Sequence, residues 1–164
     1  MKKYKWIIIL LNLVVLLVFF ISSVVEKEKT LSQGKLVLLA LAPVDPRSLM
    51  QGDYMSLNYA ISRMDDEAEK IGRGYCVVTL DSNNLGHKSR FQKENKPLDK
   101  GELLIKYRPN STGFGIKIGA ESYFFQEGTG DKYAHAKYGG LRVDDAGNSI
   151  LVGLYDEHFQ LMGK

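Results

Sequence analysis

From Trp6 to Val25 the chain carries no charged residue, and only Asn12, Ser22 and Ser23 interrupt the apolar run. As a helix rising ~1.5 Å per residue, the stretch is ~30 Å long, which is the thickness of a bilayer's hydrocarbon core. It is apolar on every face, whereas a helix packed on a soluble core keeps a polar stripe. Lys2, Lys3 and Lys5 precede it, and Trp6 stands where an aromatic anchor meets the headgroups. Positive flanks stay in the cytoplasm, so the pattern predicts a cytoplasmic tail over 1–5 and a transmembrane anchor over 6–25, with the remainder extracytoplasmic. A cleaved signal peptide has a shorter apolar core and ends in small residues. Val24-Val25-Glu26 offers no such site, so the anchor is expected to stay attached.

Past the anchor the periodicity changes from helix to strand. Residues 26–34 (EKEKTLSQG) read as a short charged spacer, and Lys35 to Ala42 (KLVLLALA) as a continuous apolar run of strand length. Such a run predicts a strand covered on both faces. Two prolines, Pro43 and Pro46, then force a turn. From Tyr54 to Ser62 the sequence alternates, with Met55, Leu57, Tyr59 and Ile61 on one face and Tyr54, Ser56, Asn58 and Ala60 on the other. Arg63 to Lys70 predicts a short surface helix or loop. Further strands are expected at Tyr75 to Leu80, Lys88 to Gln92, Gly101 to Tyr107 and Tyr123 to Gln126. Phe114 to Ile118 is expected to pair with 101–107, and Gly128 to Lys137 to form a turn and one helical segment. The last two strands flank Asp144-Asp145-Ala146-Gly147-Asn148, a composition typical of hairpin turns. Many short strands with Gly, Pro, Asn and Asp between them predict a mainly β domain over 35–164, a single compact sandwich or partly open barrel.

Charge narrows the partners. The chain has 22 basic and 19 acidic residues, and the three lysines before Trp6 account for the whole net charge of +3. The rest is balanced and shows no basic patch, which argues against nucleic acid. The single Cys76 excludes an internal disulfide and is expected to lie buried in a strand.

The densest cluster of unusual residues is PVDPRSLMQGDYMSLNY, from Pro43 to Tyr59. It contains Gly52-Asp53-Tyr54, then Leu57, then Tyr59, preceded by Pro43-Val44-Asp45-Pro46-Arg47. On these residues the chain resembles the GDYXXLXY family. The later stretches Tyr123-Phe-Phe-Gln-Glu-Gly128, Tyr138-Gly-Gly-Leu-Arg-Val143 and Leu151-Val-Gly-Leu154 resemble the C-terminal part of that family. The resemblance implies a membrane-anchored bacterial protein, and its name describes a motif without a chemistry. Physically, Asp45 and Arg47 are spaced to pair across a proline, and Asp53 after Gly52 suits a turn whose carboxylate accepts backbone N–H groups. Leu57 and Tyr59 project together and read as core. Most of the signature therefore reads as architecture. Tyr54, on the polar face, and Arg47 are the members whose side chains have no obvious structural role.

Catalytic and metal chemistry find little support. Ser48 stands upstream of Gly52-Asp53, which resembles the membrane-bound signal-peptidase class, where a serine works with a lysine base. The Ser-Met-x-Pro setting of that class is missing, and no lysine occupies a strand position suited to the base. His87 (read as loop), His135 (helical segment) and His158 are dispersed, and no CxxC, HExxH or EF-hand pattern occurs. A metal assembled from His135, Glu127 and Asp131 competes poorly with a solvated helix start. Glu127 is the remaining acidic candidate. No cofactor is expected. The sequence thus predicts a non-enzymatic, membrane-anchored binding or assembly module, held in the bilayer by 6–25 and serving a membrane-protein partner. A serine peptidase centred on Ser48 and a small-ligand domain lined by Arg47 and Tyr54 are the alternatives.

Overall fold

The computed structural model describes residues 2–42, 50–51, 54–63, 66–110 and 115–163. The first helix, α1 (Lys2–Gln33), is 32 residues long and exposes every residue from Tyr4 to Ser22. It is long and apolar enough to cross a membrane. The charged segment after Val25 is not a separate spacer, because α1 runs through it to Gln33. Ser32 bonds back to the carbonyl of Glu28 at 2.8 Å, as a helical hydroxyl does.

The rest of the chain is mainly β. The strands are β1 (Lys35–Ala40), β2 (Met50–Gln51), β3 (Tyr54–Ser56), β4 (Gly74–Leu80), β5 (Gly86–Gln92), β6 (Glu102–Pro109), β7 (Ile116–Lys117), β8 (Ser122–Phe124), β9 (Tyr138–Val143) and β10 (Ser149–Tyr155). They form three antiparallel sheets, ordered β1-β9-β10, β2-β3-β8 and β5-β4-β6-β7, and none closes into a barrel among the described residues. A short helix, α2 (Asp66–Ile71), occupies the polar stretch before β4.

One core joins the three sheets. Val37 and Leu39 of β1 and Leu141 and Val143 of β9 pack with Met55 of β3 and with Cys76, Val78, Phe91 and Ile105 of the largest sheet. β1 is buried on both faces, since Leu38 is as inaccessible as its neighbours. An isolated parallel bridge from Leu38 to Leu85 ties the first sheet to the third. Cys76 is fully buried in β4, between Phe91 and Ile105 in register. On the solvent side, Arg90 of β5 and Glu102 of β6 pair across β4 through guanidinium Nη1 and Nη2, and Glu102 also accepts the Asp99 N–H at 2.9 Å.

Four expectations about element bounds are corrected. The strand read over 54–62 pairs only to Ser56, and residues 60–62 form a 3₁₀ turn. The helical segment read within 128–137 is one 3₁₀ turn at Gly130–Tyr133. His87, read as loop, lies on β5, exposed, with Nε2 3.5 Å from Asp81. The strand read over 101–107 runs on to Pro109, and its contact with the 114–118 segment lies in that extension, where Arg108 faces Lys117 and Pro109 faces Ile116, not within 101–107 as expected.

Candidate functional site

The described signature residues divide by burial. Met55, Leu57 and Tyr59 alternate inward. Tyr59 is 1% exposed, and its hydroxyl donates to the Ala120 carbonyl at 2.7 Å. Its backbone bridges Leu41 just past β1, so this residue ties the second sheet's segment to the first sheet. The ring lies across β9 at Gly139, where an added Cβ would come within 2.8 Å of Cε1. That close approach explains a glycine in the middle of a strand. Burial, with the charge of Glu121 adding to it, pushes the Tyr59 phenol well above its usual range. Leu57 and Tyr59 are thus both core residues.

Tyr54 is different. It is 37% exposed and lies opposite Phe124 in the β3–β8 register. The two rings tilt against each other with centroids 5.7 Å apart. Phe124 is 73% exposed. Its neighbours Tyr123 and Phe125 turn inward, each against the ring of Tyr133, at 5.1 Å and 5.6 Å. Burial and the partnership with Tyr133 push the Tyr123 phenol up to about 12. Phe124 was not among the residues singled out from the sequence. The signal was present, because three consecutive aromatics in a strand cannot all face the core.

Asp45, Arg47, Gly52 and Asp53 lie outside the described residues, as does Ser48. Glu127 is exposed in the turn before the 3₁₀ segment. His135 follows that segment, also exposed, and His158 lies in a turn, 3.5 Å from Glu157. No three His, Cys, Asp or Glu side chains among the described residues are grouped to hold a metal.

The second feature is the junction between α1 and the β9–β10 hairpin. Thr30 is 3% exposed, and its hydroxyl donates to Asp144 Oδ2 at 3.0 Å. Asp144 also accepts the N–H groups of Ala146 at 3.0 Å and Asn148 at 2.8 Å, and the Asn148 side-chain amide at 2.8 Å. Burial acts to raise the carboxyl's pKa, but the bonds from Asn148, Thr30 and Ala146 outweigh it and hold the group below its ordinary value. Arg142 of β9 donates to the Gly34 carbonyl at 2.9 Å. A Cβ on Gly34 would come within 2.4 Å of the Thr30 carbonyl, so the chain leaves the helix where only glycine fits. The hairpin turn is fixed on its other side by the Lys106 N–H to the Gly147 carbonyl, at 2.8 Å, and by Lys106 Nζ to Asn148 Oδ1, at 2.7 Å. A cleft of about 510 Å³ opens beside this junction.

A family model described as GDYXXLXY protein matches residues 16–154, most of the chain. The chain belongs to the GDYXXLXY family. The match begins inside the apolar run and ends at Leu154, the last buried residue of β10. The GDYXXLXY unit thus includes half of the helix and the whole junction. No curated protein and no solved structure matches the chain.

Proposed function

We propose that this GDYXXLXY protein is a non-enzymatic, membrane-anchored binding module. Its domain stands on the extracytoplasmic surface and engages a membrane-protein partner through the face bearing Tyr54 and Phe124. The observation that carries the reading is the exposure of that aromatic pair. Neither ring lies in the core, and contiguous apolar side chains held in solvent are the kind of feature that interaction surfaces present. Tyr54 is also the described signature residue that architecture leaves unexplained. Support for the membrane comes from α1, whose apolar residues are exposed on all faces, and from the lysines before it, which favour a cytoplasmic N-terminus. The helix continues without a break into hydrogen bonds with the domain, which suits a retained anchor.

The test replaces Phe124 with a photo-crosslinking phenylalanine analogue in the full chain and irradiates native membranes. A discrete adduct with a membrane protein, lost in Tyr54→Ala, is expected. No adduct from position 124, with adducts from a control position elsewhere on the domain, would overturn the proposal. Protease access from the outer side only, followed by an epitope at the C-terminus, checks orientation.

A further inference from the structure

Three polar residues interrupt the apolar run of α1, and two of them are accounted for. The Ser22 hydroxyl donates back to the Val18 carbonyl at 2.8 Å, which satisfies it within its own helix. Ser23 faces the domain and lines a small cleft together with Ser149 and Ile150 of β10. Asn12 is the third. It is exposed, and its carboxamide makes no hydrogen bond among the described residues. It stands six positions past Trp6, ~9 Å along the axis, where an anchored helix is surrounded by hydrocarbon. From that depth so short a side chain does not reach the headgroups. An amide without a partner in hydrocarbon is strongly unfavourable, and membrane helices satisfy such groups on a neighbouring helix.

The direction in which Asn12 points follows from the junction. Among the described side chains of α1, Ser23 and Thr30 are the ones that are not exposed, so they mark the side of the helix that the β9–β10 hairpin covers. They are seven positions apart, about two turns. Phe19 comes eleven positions before Thr30, about three turns, and Asn12 eighteen positions before it, about five turns. Phe19 and Asn12 therefore continue the domain-facing stripe into the membrane. Val14, sixteen positions before Thr30 and about four and a half turns away, lies on the opposite face.

The same geometry selects the occupant of the stripe. Two copies of this chain insert in the same orientation, so their helices would be parallel. A second α1 lying along the stripe would run on to its own Gln33, through the space that the hairpin takes beside Ser23 and Thr30. The helix that fits is one that leaves the membrane near the level of Ser23 and so belongs to a different chain. We propose that the stripe of α1 centred on Asn12 docks a transmembrane helix of the membrane-protein partner. That helix presents an amide or hydroxyl side chain at the depth of Asn12, which can give and accept a hydrogen bond there. The inference rests on the membrane-anchored, partner-binding reading above and adds a contact within the bilayer to it.

The test replaces Phe19, on the stripe, or Val14, on the opposite face, with a photo-crosslinking phenylalanine analogue in the full chain, and irradiates native membranes. Position 19 should give an adduct with the same protein that position 124 captures, identified by mass spectrometry, and position 14 should give at least about fivefold less. Asn12→Leu keeps the run apolar and should weaken the position 19 adduct by about fivefold, as loss of one interhelical hydrogen bond does. Asn12→Gln should retain it. Equal adducts from both faces, an adduct indifferent to Asn12→Leu, or an adduct joining two differently tagged copies of this chain would each overturn the proposal. An adduct from position 124 with none from position 19 defeats the helix contact alone. An Asn12-dependent adduct from position 19 with none from position 124 defeats the aromatic face and upholds the helix contact. Release of the protein by alkaline extraction defeats the anchor and both contacts with it.

Discussion

Thr30 and Asp144, 114 positions apart in the chain, share a hydrogen bond of 3.0 Å that fastens the apolar helix to the last hairpin of the domain. One partner is nearly buried and the other is ionised, so the bond belongs to the stronger class. Thr30→Val keeps the shape and removes the donor. It should weaken the junction by ~1 kcal/mol, because Asp144 keeps its other three bonds. Spin labels at the exposed positions Lys27 and Val152 would report the change as a broader distance distribution in detergent. An unchanged distribution would show that packing alone holds the helix.

The same carboxylate gives the junction an acid limit. Asp144 titrates below its ordinary value when folded, so the stability it supplies is complete above the unfolded pKa of ~3.9. That stability is lost as pH falls below this value and through the folded one. The spin-label distribution should therefore be constant from neutral pH down to about 4 and broaden below it. Asp144→Asn should be broader at neutral pH and should lack the part of the acid transition that Asp144 causes.

Tyr59 and Gly139 make a second coupled pair, this time in the core. Tyr59→Phe removes the hydroxyl that satisfies the Ala120 carbonyl and should cost ~1–2 kcal/mol in urea unfolding. Gly139→Ala forces a methyl against the same ring and should cost ~1–3 kcal/mol. In a Tyr59→Leu background the glycine substitution should cost much less, since the ring it strikes is gone. Additive costs would show that Gly139 is required for some other reason. The raised Tyr59 phenol makes its contribution complete below the unfolded pKa of ~10 and lost as pH rises above it. The alkaline fall in stability should be shallower in Tyr59→Phe, with Tyr123 keeping part of it.

The sequence displayed the strands that make the core and hid the contacts that orient them. Lys35 to Ala40, Gly74 to Leu80 and Ser149 to Tyr155 were legible because continuous apolar runs or clean alternation set their burial. The alternation from Tyr54 to Ser62 overran its strand for a definite reason. Burial continues to alternate through Leu57 and Tyr59, while β8 ends the ladder at Ser122. Beyond that point Leu57 bonds to the Glu121 carbonyl and Asn58 receives the Ala42 N–H, so the side chains keep period two without a paired strand. The charges of residues 26–33 concealed a helix, because its stability comes partly from a hairpin more than a hundred positions away. Tyr54 was placed on the solvent side by its pattern alone. Its partner Phe124 required knowing which strands pair, and Arg47 lies outside the described residues.

Cys76 offers a direct reading of the core. It is fully buried in the strand at the centre of the largest sheet's contacts with β5 and β6. A maleimide reagent should leave it unmodified in the native protein and label it completely in denaturant. In the Tyr59→Phe and Gly139→Ala variants the labelling rate should rise with the loss of global stability, because exposure of this strand requires unfolding of the core. Fast native labelling would mean that β4 opens locally.

Phe124 and Tyr133 separate function from folding within one aromatic group. Tyr133 is buried and contacts both Tyr123 and Phe125, so Tyr133→Ala should cost ~3 kcal/mol or more in unfolding. Phe124 is mostly exposed and touches Tyr54, so Phe124→Ala should cost less than ~1 kcal/mol. The order should reverse in membranes. Phe124→Ala should reduce recovery of the partner captured from native membranes with the tagged full chain, while its thermal transition stays within a few degrees of the original. A substitution that lowers stability by as much as Tyr133→Ala would assign Phe124 to the core and remove the surface from the binding argument. Full partner recovery from a stable Phe124→Ala, Tyr54→Ala double variant would sink the docking face and leave the anchor as the part of the reading that stands.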